Sequence, residues 1–138
     1  MPNVRPFLAA LGFVLTLAAC GERGAPEDRG VCWRMSRSPS GSVSFAPLAR
    51  GIDSLENCAV LLEAVRLQGA NEADGAYQGY YILAGPDRIS SGLHTNGLRY
   101  PIFQPPQRAA IDRDLKRMIA EHGGKLPNAA DISVERAH

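Results

Sequence analysis

The stretch DSLENCAVLLEAVRLQG at residues 53–69 constrains the fold most. Leu55, Cys58, Ala59, Leu62 and Val65 recur along one helical stripe, and Glu56, Glu63 and Arg66 fall on the other side. Asp53 or Ser54 offers an N-cap oxygen, and Gly69 follows the last turn. A helix with one apolar stripe needs a second layer to cover it, and its flanks are β-prone. VCWRM at 31–35, the turn-rich SRSPSGS and VSFAPL at 43–48 predict a hairpin, with Pro47 limiting the second strand to an edge. Residues 77–84 predict one strand, Gly85-Pro86-Asp87 a turn, and residues 88–91 a return strand. LRYPIF at 98–103 adds a strand that Pro101 again assigns to an edge. Pro105-Pro106 suit a helix start, after which Ile111, Leu115, Met118 and Ile119 form a stripe ending at Gly123. The expected order is ββαβββα, an α+β fold in which two helices pack on a small antiparallel sheet.

A different logic governs the N-terminus. Met1 to Pro6 carries Arg5, and residues 7–19 (FLAALGFVLTLAA) contain no charge. As a helix this run would span only ~20 Å at ~1.5 Å per residue, short of the ~30 Å hydrocarbon core. Its length is that of a signal-peptide h-region. Leu17-Ala18-Ala19-Cys20 resembles the lipobox of bacterial lipoproteins: an aliphatic residue, two small residues, then cysteine. The resemblance implies a diacylglyceryl group on the Cys20 sulfur, cleavage just before it, and a lipid-anchored mature chain. Residues 1–19 would then be the signal peptide. Gly21 stands where the family's inner-membrane retention signal is Asp, which implies the outer membrane, facing the periplasm, in a cell with two membranes.

The resemblance also bears on the other cysteines. With Cys20 lipidated, Cys32 and Cys58 remain as an even pair in a compartment where disulfides persist. Their bond would close a ring of about 27 residues, worth about 3.5 kcal/mol by chain entropy. Strand alternation, however, places Cys32 with Arg34 and opposite Val31, Trp33 and Met35. The bond therefore needs a twist there, or a strand that begins after Cys32.

Charge excludes one class of partner. The chain has 15 Lys+Arg and 14 Asp+Glu, and removal of Arg5 with the signal leaves the two signs balanced. No basic stripe with interleaved aromatics is present, so nucleic acid is not an expected partner. No polybasic cluster follows Cys20 either, which leaves the lipid as the membrane anchor. Residues 20–30 (CGERGAPEDRG) read as a flexible tether, 31–122 as one α+β domain and 123–138 as a loose C-terminal tail.

Catalytic chemistry is thinly signalled. Ser90, Ser91 and His94 are close in sequence, but no G-x-S-x-G elbow and no placed acid accompany them. His122 suits a helix C-terminus. Asp112 and Asp114 lie two apart on a helix, share no face, and read as solvent groups. No metal-ligand spacing or phosphate-binding glycine pattern appears, so no metal and no cofactor are expected.

The aromatic residues carry the sharper expectation. Tyr77, Tyr80, Tyr81 and Tyr100 cluster in the predicted sheet, with Tyr77 and Tyr81 on one face and Tyr80 on the other. Arg88 and Arg99, on adjacent predicted strands, flank them. These residue types are enriched at interface hot spots. The expectation is a non-catalytic binding module for an envelope protein or cell-wall partner. The alternative is a small lipid-anchored hydrolase using Ser91 and His94.

Overall fold

The computed structural model describes residues 24–132. Cys20, the lipobox and residues 133–138 lie outside the described residues. The fold is α+β, as expected: one six-stranded antiparallel sheet in the order β2-β1-β3-β4-β5-β6, with two helices. The strands are β1 (Val31–Arg37), β2 (Val43–Arg50), β3 (Ala73–Tyr77), β4 (Tyr80–Ala84), β5 (Ile89–Gly92) and β6 (Tyr100–Pro101). The helices are α1 (Leu55–Leu67) and α2 (Pro105–Glu121). Pro47 and Pro101 fall in β2 and β6, the two edge strands.

One predicted strand is in fact two. Residues 77–84 break at Gln78 and Gly79, both with positive φ (44° and 86°), and reverse the chain between β3 and β4. Two consecutive left-handed residues form the tight turn whose twist matches paired strands. The order is therefore ββαββββα. Tyr77 pairs with Tyr80 and Ala76 with Tyr81, so Tyr77 and Tyr81 do not share a face as simple alternation suggested.

Ser54 is the cap of α1: its side chain accepts from the Asn57 N–H at 3.1 Å. Asp53 instead accepts from the Asn57 side-chain amide at 2.6 Å. The helix packs on β1, β3 and β4, and α2 packs on the helix. Every residue of α1 from Cys58 to Val65 is consequently buried. Gly75 makes the close approach to the sheet possible, since a Cβ there would meet Leu62 Cδ1 at 2.7 Å and the Trp33 carbonyl at 2.2 Å.

Cys32 and Cys58 are disulfide-bonded with their Cα atoms 5.3 Å apart. A register shift between Cys32 and Trp33 supplies the required irregularity in β1, so the strand starts before Cys32 and still turns the sulfur toward α1. Beside the bond, the Tyr77 hydroxyl donates to the Ile52 carbonyl at 2.8 Å.

Parts of the expected tether and tail are held against the domain. The Gly79 N–H donates to the Pro26 carbonyl at 2.9 Å, and the Gly30 N–H to Gln78 Oε1 at 3.1 Å. Downstream, the Gln68 amide donates to the Gly124 carbonyl at 2.8 Å. A 3₁₀ turn at Ala129–Asp131 then delivers Ile132 into the core.

Candidate functional site

Both helices lie on one side of the sheet, and among the described residues no helix covers the other. Part of that second face is nonetheless buried. β2 and β4 are separated by β1 and β3, ~14 Å in a flat sheet at ~4.8 Å per strand. The Phe45 and Tyr81 rings nevertheless sit with centroids 6.3 Å apart. Sheet curl and side-chain lean bring them together, burying Met35, Ala76 and Tyr81 without a helical cover.

At one end of this trough the strand termini leave a cleft of about 400 Å³. Arg37 ends β1, Asp74 is the second residue of β3, Leu83 lies near the end of β4, and the β4–β5 turn adds Asp87 and Arg88. Buried Ser90 lies on the wall, and the β5–β6 loop contributes Thr95 and Arg99. Arg88 and Arg99 both line this cleft and both stand just outside strands, whereas the tyrosines expected beside them do not line it. Arg37 was missed, because it becomes a neighbour only when β1 and β3 pair.

The cleft mixes charges of both signs without close ion pairing among the described residues. Glu72, Asp74 and Asp87 share the lining, yet among the described residues Arg37, Arg88 and Arg99 enter no ion pair within 4.0 Å. Arg99 Nε is buried without a hydrogen-bond partner. Burial, and then the charge of Glu72, push the Asp74 carboxyl above its usual range, against the pull of Arg99, Arg37 and Arg34. A buried N–H without a partner is costly, and a planar, bidentate acceptor such as a carboxylate matches the geometry of a guanidinium.

A buried charge network stands behind the cleft. Glu63, placed on the solvent side by the helical spacing, is fully buried because α2 covers that side of α1. Its carboxylate takes both Nε and Nη2 of Arg66 and the Nη2 of Arg108 at 3.1 Å. Asp112, expected in solvent, joins this group at 3.9–4.0 Å from the two arginines. Burial alone would raise Glu63, but hydrogen bonds from Arg66, Asp112 and Arg108 hold it below the usual carboxylate range. Burial, the hydrogen bond to Glu63 and that residue's charge push Asp112 up to about 6. Asp114 does lie in solvent, paired with Arg117.

The remaining candidates separate. Tyr77 and Tyr81 are buried, whereas Tyr80 and Tyr100 are exposed at a corner away from Arg37 and Arg88. Ser91 pairs with Ile82 and Tyr100, and so shares the helix-side face with core residue Ile82, while Ser90 points to the cleft. His94 is exposed in the β5–β6 loop, and no hydrogen bond joins it to Ser91. Among the described residues no group of three His, Cys, Asp or Glu side chains is placed to hold a metal ion. No helix there is long and apolar enough to cross a membrane.

Comparison with known proteins found no matching family model, curated protein or solved structure.

Proposed function

We propose that this chain is a lipid-anchored envelope protein whose domain binds a carboxylate-bearing envelope or cell-wall partner in the arginine-lined cleft. The anchor is Cys20, and in a two-membraned cell the location is the outer membrane, facing the periplasm. The observation that carries the binding role is the convergence of Arg37, Arg88 and Arg99, none ion-paired, around buried Ser90. Arg66 and Arg108 behave differently: both pair with buried Glu63, although Arg108 Nη1, like Arg99 Nε, is buried without a hydrogen-bond partner. The binding surface is accordingly the arginine half of the expected site, with the tyrosines in other roles.

Two experiments test the proposal. Replacing Cys20 with Ala should abolish acyl labelling of the chain, and undiminished labelling would remove the anchor. A photoreactive residue substituted for exposed Asp87 should give a defined adduct in cells, identified by mass spectrometry. That adduct should disappear when Arg37→Ala and Arg99→Ala are combined. An adduct indifferent to the arginines would refute the cleft. Loss of cellular function only in the Ser91→Ala/His94→Ala variant would return the case to a hydrolase.

A further inference from the structure

The N-terminal segment is pinned at one corner of the sheet. Its hydrogen bonds run from Pro26 to Gly79 and from Gly30 to Gln78, and Tyr80 is the next residue along the hairpin. The same corner gathers the exposed large hydrophobics of the described residues: Tyr80 (46%), Leu93 (62%), Leu98 (75%) and Tyr100 (63%). The register explains the grouping. Tyr81 pairs with Gly92, so Tyr80 and Leu93 each stand one residue beyond the same pair. Tyr100 pairs with Ser91, and the Leu98 carbonyl folds back to 2.9 Å from the point a Cβ on Gly92 would occupy. Scattered exposed leucines need no account, but four large apolar groups from three neighbouring segments do.

We propose that this corner rests on the surface of the lipid bilayer, with Leu93 and Leu98 entering the acyl boundary and Tyr80 and Tyr100 at headgroup level. The proposal depends on the Cys20 anchor. Chain length is what selects the bilayer as occupant: six residues from Cys20 to Pro26 reach at most ~21 Å at ~3.5 Å each. The anchorage therefore lies within that distance of the residue hydrogen-bonded to Gly79, beside Tyr80. A tether free as far as Gly30 would let the domain tumble, whereas one held at Pro26 presents this corner first. Tyrosine suits the interface because its ring is apolar and its hydroxyl wet. The exposed side chains gathered there are apolar or tyrosine, so the attraction they supply should operate on uncharged lipid. Arg88 and the β4–β5 turn lie beyond the opposite end of β4 from Tyr80, so that side of the cleft stands away from the membrane, while Thr95 and Arg99 reach it from the loop that carries Leu93 and Leu98.

The test uses the full mature lipidated chain in phosphatidylcholine vesicles. Leu98→Cys introduces a unique reactive thiol, since Cys32 and Cys58 are bonded and Cys20 carries lipid. An environment-sensitive fluorophore there is compared with one at Lys116→Cys, on the exposed side of α2. Flotation with the vesicles reports anchoring, and quenching by doxyl-labelled lipid reports contact. The expected result is a floating protein whose label at position 98 is several-fold more quenched than that at 116. Flotation with equal, weak quenching at both positions overturns the proposal and leaves the anchor standing. A label at 98 shielded from water yet unquenched by lipid assigns the corner to a protein partner or second copy, which also overturns it. Failure to float removes the anchor and this proposal together.

Discussion

Arg108 on α2 donates from Nη2 to the carbonyl of Gly85 at 2.5 Å while the same nitrogen serves buried Glu63 at 3.1 Å. One guanidinium thus ties the helix pair to the turn that carries Asp87 and Arg88 into the cleft. Replacing it leaves Glu63 with Arg66 as its one cationic donor and the Gly85 carbonyl without this donor. Arg108→Met should cost about 3–5 kcal/mol in denaturant unfolding, as expected when one partner of a buried pair is removed. Glu63→Leu combined with Arg108→Met should recover part of that loss, because the buried carboxylate is then gone, although Arg66 keeps only Asp112 at 4.0 Å. A double variant as unstable as the single would show that the pair's role is not electrostatic.

The network also sets a pH dependence. The Asp112 carboxyl is raised to about 6, above its unfolded value near 4. Between those values the folded chain binds more protons than the unfolded one, so Asp112 makes stability fall as pH rises from about 4 to about 6. Asp74, also raised, adds a slope of the same sign. Glu63 is lowered, so its contribution is present above its unfolded value and is lost as pH falls through its folded one. Asp112→Asn should flatten the decline between pH 4 and 6 and make the protein more stable than wild type at pH 7. Thermal melts across this range decide the matter, and an unchanged slope would refute the assignment.

Gly75→Ala should be among the most damaging single-methyl additions. The new Cβ would meet both the Trp33 backbone and the Leu62 side chain at under 3 Å. Overpacking of this kind costs about 1–3 kcal/mol, measured as a lowered denaturant midpoint with little change in m. Leu62→Ala alongside should relieve the side-chain clash but not the backbone one, so rescue should be partial.

Breaking the Cys32–Cys58 bond should lower stability by about 3.5 kcal/mol if loop entropy dominates. Alkylation without reduction should leave both sulfurs unmodified in the intact mass. Because the bond joins the β1 start to α1, its removal should loosen that contact first, visible as faster amide exchange near Val31.

The legible and illegible parts of the fold divide by physical range. α1 announces itself through local period and the Ser54 cap, and Pro47 and Pro101 mark edge strands because neither residue can donate to a ladder. The β3–β4 reversal was hidden by the β-prone side chains around it. Gly79 inside an apparent strand was its one local sign. Glu63 and Asp112 defeat helical-wheel reasoning for a different cause. Such reasoning allots each helix one buried face, and α1 has two, between sheet and α2. Arg88 and Arg99 were found as a pair, but the cleft between them needs Arg37 from a strand some fifty residues away in sequence.

The prolines in the two edge strands have a consequence for crowding. On the proposed lipid anchor, copies would share a plane, where encounters are frequent and orientations already aligned, so an open sheet edge would invite strand-to-strand zippering between neighbours. At β2 and at β6 a proline removes an N–H that such a ladder would need. If the chain is anchored as proposed, a high surface density would be compatible with each copy remaining separate.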